Sequence, residues 1–289
     1  MTLSADGWFA GRVAIVATMH RKEQVIAPAL TTGLGLVCQV PPDFDTDRFG
    51  TFTRDVDRPG DQRATARRKA EAALDLTGAT VAIASEGSFG PHPQIPWLPC
   101  NRELVLLLDR DHGLEIVGES LSTDTNYRAQ AVATPAEALT FAKTVGFPSH
   151  GLVAMAQPQG GPPDTILKGI TDPAALVTAV ETLTRRSPTG TVHLETDMRA
   201  MYNPTRMQAI AAATADLVAT AQRLCPACGV PGFALVARHP GLPCGDCGTP
   251  TLLTQTLVYR CDRCHHQQAQ PDPEAPAGAD PTYCPYCNP

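Results

Sequence analysis

Eight of the ten cysteines fall between Cys225 and Cys287, each in a Cys-x-x-Cys: Cys225/Cys228, Cys244/Cys247, Cys261/Cys264 and Cys284/Cys287. Two thiolates at this spacing sit on one tight turn and grip one side of a tetrahedral ion, so two such turns complete a four-sulfur site. Four turns make two sites, and zinc is the ion that all-sulfur tetrahedra suit. A disulfide framework is the competing chemistry, and a reducing cytosol opposes it.

Two pairings of the turns are open. Sequential pairing joins Cys225/Cys228 to Cys244/Cys247 and Cys261/Cys264 to Cys284/Cys287, and it is the expectation. Nested pairing joins Cys244/Cys247 to Cys261/Cys264 across a hairpin around Leu252–Tyr259 and closes the outer turns on each other. His265 and His266 are bystanders, because eight cysteines already satisfy two ions. Cys38 and Cys100 stand alone and read as buried thiols. A module of about 65 residues with Pro- and Gly-rich connections buries little apolar surface, so its metal stabilises it. Closed four-sulfur coordination leaves no open position for catalysis, which makes the zinc structural. A protein or RNA partner for the module is the further expectation.

Three other segments put polar residues directly after buried strands, where α/β proteins build sites. Thr18-Met19-His20-Arg21-Lys22 follows the first strand and offers a hydroxyl, backbone N–H groups, a helix N-terminus and a lysine, a set that suits phosphates. Ser85-Glu86-Gly87-Ser88-Phe89-Gly90-Pro91-His92-Pro93 reads as a Gly/Pro loop in which Glu86 can hold Mg²⁺ or activate water. Glu195-Thr196-Asp197-Met198-Arg199-Ala200-Met201-Tyr202-Asn203-Pro204-Thr205-Arg206 sets two carboxylates before two arginines. Arg206 lies in a first helical turn, where the dipole disfavours a cation, and that hints at a facing anion. A salt-bridge network among the same residues is the alternative.

The elements that must position these residues alternate. Val13–Ala17, Leu36–Val40, Val81–Ser85, Leu152–Ala156 and Val192–Glu195 read as strands, and Leu104–Asp109 with Leu114–Gly118 as a hairpin. Helices are predicted over Gln24–Leu30, Asp61–Leu74, Thr134–Val145 (a capping box with Pro135 at the first position), Asp172–Leu183 and Asn203–Leu224. The charged and aromatic segment Phe44–Arg54, with Arg58–Asp61, suits a lid or a subunit contact. Gln157–Asp164 is a polar loop. The fold class is α/β, a mixed sheet flanked by helices, followed by a small zinc-ribbon-like module. The expected domains are 1–222 and 223–289.

The chain of 289 residues, 43% hydrophobic and 18% charged, has the composition of a soluble globular protein. Its net charge of −6 argues against a general nucleic-acid binder, yet allows one local basic pocket. No apolar run reaches the about 18 residues of a membrane span. The short run Val13–Ala17 is no signal peptide, so a cytoplasmic location is expected.

The order of the first two segments, with the helix between them, resembles the inosine/xanthosine triphosphatase superfamily, hydrolases of non-standard nucleoside triphosphates. The resemblance covers residues 12–90. It implies that Thr18 and Lys22 form the phosphate turn, that Asp61 stands before the helix and Lys69-Ala70 in its basic position, and that Glu86-Gly87 closes the strand. Arg206 is loosely similar to that family's late base-binding segment. The usual asparagine after the threonine is absent here. The implied activity is Mg²⁺-dependent hydrolysis of a nucleotide or related phosphoanhydride. Thr18, Lys22, Lys69, Arg199 and Arg206 would bind phosphate, Glu86 with Asp61 and Lys22 would be catalytic, and Glu86 would hold Mg²⁺. The implied assembly is a homodimer. The alternative is a non-catalytic nucleotide- or anion-binding protein. The whole chain also resembles a bacterial family of undefined function. That family shares Glu86-Gly87-Ser88-Phe89-Gly90-Pro91-His92-Pro93, Thr196-Asp197-Met198-Arg199-Ala200 and the cysteine tail.

Overall fold

The computed structural model describes residues 6–42, 44–46, 61–156 and 165–289. The Gln157–Asp164 loop and most of Phe44–Asp61 lie outside the described residues.

Short apolar runs, most of them buried on both faces, build the first sheet. It contains β1 (Val13–Ala17), β2 (Val37–Gln39), β3 (Val81–Pro91), β4 (Pro99–Asp109) and β5 (Leu114–Ser122), in the order β2-β1-β3-β4-β5. β1 is parallel to β2 and β3, while β4 and β5 continue antiparallel, which gives the expected mixed sheet. Alternation assigns each face. Ala14, Val16, Val81, Ile83, Val105 and Leu107 face α2 (Glu23–Leu34) and α6 (Pro204–Gln222), with Phe9 of α1 (Asp6–Phe9) in the same core. Ile15, Ala17, Ala82, Ala84, Leu104 and Leu106 face α3 (Gln62–Thr77), whose Ala66, Ala70 and Ala73 let the helix sit close. On β5, Gly118 faces the α6 backbone: a Cβ there would lie 2.6 Å from Leu217 Cα and closer still to Leu217 N and Ala213 O.

A second sheet, which the sequence does not announce, joins β6 (Ala129–Val132), β7 (Leu152–Ala156), β8 (Ile166–Ile170) and β9 (Val192–Thr196) in the order β6-β9-β7-β8. All its pairings are antiparallel. It shares a separate core with α4 (Pro135–Thr144) and α5 (Pro173–Arg186), centred on Phe141, Leu152, Leu176, Leu183 and Leu194.

The third sheet lies in the cysteine region: β10 (Phe233–Pro240), β11 (Thr254–Cys261) and β12 (Gln267–Pro271), antiparallel with β11 central. The stretch Leu252–Tyr259 is therefore not a hairpin but mostly one strand, because Thr254–Cys261 finds partners on both sides. Among the described residues, no helix is long and apolar enough to cross a membrane.

Candidate functional site

Two kinds of site emerge, one of cysteines and one of buried charge. The cysteines gather as Cys225, Cys228, Cys261 and Cys264 in one cluster and Cys244, Cys247, Cys284 and Cys287 in the other, each with all its sulfurs within 4.8 Å. Sγ–Sγ distances are 3.6 Å for Cys225–Cys264, 3.7 Å for Cys228–Cys261, 3.9 Å for Cys244–Cys287 and 3.6 Å for Cys247–Cys284. A tetrahedron of sulfurs about 2.3 Å from zinc has edges of about 3.8 Å, so both clusters suit zinc. No disulfide forms at these separations. His265 and His266 belong to neither cluster.

Neither the expected sequential pairing nor the nested alternative holds: the turns interleave, first with third and second with fourth. The physical reason is strand length. β10 places eight residues between the first turn and the second, and β11 places eight between the second and the third. At about 3.4 Å per residue each strand holds the turns at its two ends well over 20 Å apart. β11 runs antiparallel to β10, with Phe233 opposite Cys261, and so returns the third turn to the first. The second turn meets the fourth at the far end, where Cys244 bridges to Ala279.

The charge cluster lies at the C-terminal ends of the parallel strands. β1 stops beside β3 at the pair Ala17 and Ala84, and β3 runs on alone with β4. Ser85–Pro91 is thus strand, not the loop its Gly/Pro content suggests, because Pro99–Val105 pairs with it residue by residue. Lys22 precedes α2, and its buried Nζ donates to Ser85 Oγ at 2.9 Å and Ser85 O at 3.3 Å. Thr18 Oγ1 accepts from His20 N at 3.2 Å, and Arg21 turns the chain with φ 60°. Lys69, on the inward face of α3, makes an ion pair with buried Glu86. Two turns nearer the start of α3, Gln62 Nε2 donates to Glu86 O at 3.4 Å and Arg102 O at 3.1 Å.

Arg206 enters from the first turn of α6, which Asn203 caps. Its Nε donates to Glu103 Oε1 at 2.8 Å, its Nη1 to Met198 O, and its Cζ lies 5.4 Å from the Phe89 ring centre. Arg199 closes on Asp197, with Nη2 2.6 Å from Oδ2, and rests 4.6 Å above the Tyr202 ring. Asp197 also accepts from Gly169 N at 3.0 Å.

These groups share one field. Burial pushes the His20 imidazole down to about 3, and the positive charges of Lys22, Arg206, Arg199 and Lys69 add to it. Burial likewise pushes the Lys22 amine down to about 7, with Arg206 and Lys69 adding and Glu103 and Glu86 opposing. Thr18, Lys22, Lys69, Glu86 and Arg206 are therefore brought together, with Arg199 close enough to act on His20. Asp61 is exposed and caps α3, accepting from Ala64 N at 2.7 Å. Sequence reasoning missed Glu103, which sits one residue before the run Leu104–Asp109. A longer strand opposite Ser85–Pro91 would have placed it across from Gly87. Cys100 is buried as expected, and Cys38 is only partly so.

Fold and sites together define an α/β protein of two sheets with a C-terminal module bearing two four-cysteine sites suited to zinc. The chain belongs to the family described as a domain of unknown function (DUF6671), whose model matches residues 69–289. That match includes Lys69, Glu86, Glu103, Arg206 and the eight clustered cysteines, and begins after Thr18 and Lys22. No protein of curated function matches the chain.

Proposed function

We propose that the charge cluster binds a phosphate-bearing small molecule and hydrolyses its phosphoanhydride, and that the cysteine clusters hold two structural zinc ions. The observation that carries the reading is the gathering of three buried cations just past the end of β1: Lys22 on Ser85, Lys69 on Glu86, and Arg206 on Glu103 of the neighbouring strand, the last two close enough to act on Lys22. Cations preorganised out of water stabilise the charge that builds on a transferring phosphoryl group.

In this reading Lys69 turns from Glu86 to a phosphate oxygen when the ligand enters. The freed Glu86 carboxylate takes a proton from a water that attacks phosphorus, the bridging P–O bond breaks, and Lys22 and Arg206 hold the departing phosphate's charge. Magnesium is assigned no step. Among the described residues, only the two cysteine clusters bring together three or more His, Cys, Asp or Glu ligand atoms. A magnesium ion would come in on the polyphosphate, as it commonly does.

The second reading is binding without turnover, with the zinc module docking a protein or RNA partner. Glu86, Glu103 and Asp197 each already face a cation, which favours it. Incubation of zinc-loaded protein with Mg²⁺ and a panel of standard and deaminated nucleoside triphosphates, with phosphate and pyrophosphate release measured, separates the two. Turnover lost in Glu86→Gln supports hydrolysis. Saturable binding with no turnover of any nucleotide supports the second reading, and full activity in Glu86→Gln removes the Glu86 assignment.

A further inference from the structure

We propose that Lys22 is the docking point for one anionic group of the ligand and takes up a proton as that group arrives, an inference that rests on the anion-site reading above. The turn after β1 contributes His20 and Lys22, α3 contributes Lys69, β3 contributes Ser85 and Glu86, β4 contributes Glu103, and α6 contributes Arg206. Arg199 and Asp197 precede α6 and also lie close by. Lys69 closes on Glu86, Arg206 on Glu103 and Arg199 on Asp197. Lys22 differs: among the described residues no carboxylate lies within ion-pair distance of its Nζ, and its partners are the hydroxyl and carbonyl of Ser85.

A buried ammonium without a counter-ion is costly, and a buried amine discards the charge instead. Burial and the two neighbouring cations push Lys22 down to about 7, so the empty cluster holds three matched pairs and an amine that is largely neutral above that pH. An anion beside Nζ reverses the balance, because an opposite charge within about 4–6 Å favours the protonated form. The proton that enters with the anion offsets one unit of its negative charge. His20 is pushed down to about 3 and stays uncharged throughout.

The sign follows from linkage. Lys22 has a lower pKa in the empty site than in the loaded one, so binding consumes protons above about pH 7. Affinity then falls up to about tenfold per pH unit until the loaded pKa is reached. The test is titration calorimetry of the full, zinc-loaded chain with inorganic sulfate and with pyrophosphate at about pH 8, in buffers of different ionisation enthalpy. Sulfate has no proton of its own to exchange there. The expected result is uptake of roughly one proton per sulfate bound. Lys22→Arg, permanently charged, should bind with no uptake and with affinity flat in pH. Wild-type sulfate binding whose enthalpy ignores the buffer overturns the proposal while leaving the anion site standing. So does a Lys22→Arg variant with wild-type uptake. If neither anion binds, the anion-site reading falls and this proposal with it. If Lys22→Arg does not fold, the wild-type buffer series still decides.

Discussion

Arg206 in the first turn of α6 and Glu103 on β4 form an ion pair with side chains 1% and 0% exposed, Nε 2.8 Å from Oε1. A cation at a helix N-terminus opposes the dipole, and Glu103 supplies the compensating anion. Removing one partner leaves the other charged and dry. Glu103→Ala should cost about 3–5 kcal/mol, and Arg206→Ala a similar amount, read as a lower urea midpoint. The double change Arg206→Met with Glu103→Leu should recover much of that loss, since neither charge is then stranded. Wild-type midpoints in both single variants would contradict the buried pair.

Gly87 holds this pair at close quarters. A Cβ on it would stand 2.6 Å from Arg206 Nη2 and nearer still to Glu103, whereas a Cβ on Gly90 meets nothing within 4 Å. Gly87→Ala should therefore lose about 1–3 kcal/mol and weaken sulfate binding, because the pair must shift to admit the methyl group. Gly90→Ala on the same strand should stay within about 0.5 kcal/mol of wild type. Equal effects at the two positions would show that backbone flexibility, not crowding of the pair, governs this strand.

Local features of the chain were legible. Thr134, Asp172 and Asn203 cap α4, α5 and α6 as read, each followed by a proline at the first or second helical position. The caps are visible because a cap is decided within four residues. The apolar runs Val13–Ala17 and Leu104–Asp109 likewise marked two strands, but runs buried on both sides do not say which residue faces which helix. Ser85–Pro91 was misread because Gly and Pro propensity points to a loop, while its pairing partner lies beyond the hairpin tip. β6 and β8 escaped because Ala129–Val132 and Ile166–Ile170 are short and largely exposed, with no clean period. In the site, Thr18, Lys22 and Glu86 were found from their places after strands. The closure of Arg206 on Glu103 was not, since it joins residues 103 positions apart. The cysteine ligands were plain, but their pairing depends on β10, a strand the sequence reading did not identify.

Asp109 at the end of β4 supplies a pH-dependent contribution. Burial pushes its carboxyl up, but hydrogen bonds from Arg12 and His112 outweigh that, and the net shift is downward. A depressed carboxyl stabilises the fold above its unfolded value of about 3.9, and the contribution is lost as pH falls through the folded value. Arg12→Gln removes the main partner, so Asp109 becomes a buried carboxylate that prefers its proton. The variant should lose about 3 kcal/mol near neutral pH and approach wild type only once the pH has fallen below the depressed folded pKa of Asp109, where the carboxyl is neutral in both. Urea unfolding across that range checks it. A difference independent of pH would assign the loss to Arg12 packing instead.

The interleaved pairing of cysteines makes a stoichiometric prediction that no other pairing shares. Two clusters of four thiolates should hold two zinc ions per chain, measured by metal analysis after gel filtration. Cys225→Ser with Cys261→Ser strikes one cluster twice and should leave one zinc. Cys225→Ser with Cys244→Ser strikes both and should leave none that survives mild chelation, whereas sequential pairing would leave one in that variant. The nested alternative would leave one zinc after Cys225→Ser with Cys284→Ser, where the interleaved arrangement leaves none. The clusters should also differ in consequence. Cys225 and Cys261 pack with Phe233, Leu257 and Tyr259, and Val230 from the same turn joins the core beneath α6. Loss of that zinc should therefore lower the melting temperature of the α/β part as well, because the end of α6 loses its anchor. The other cluster stands at the far end of β10, and its loss should unfold only its own turns. A chain in which both single-cluster variants melt like wild type would place neither zinc in a stabilising role.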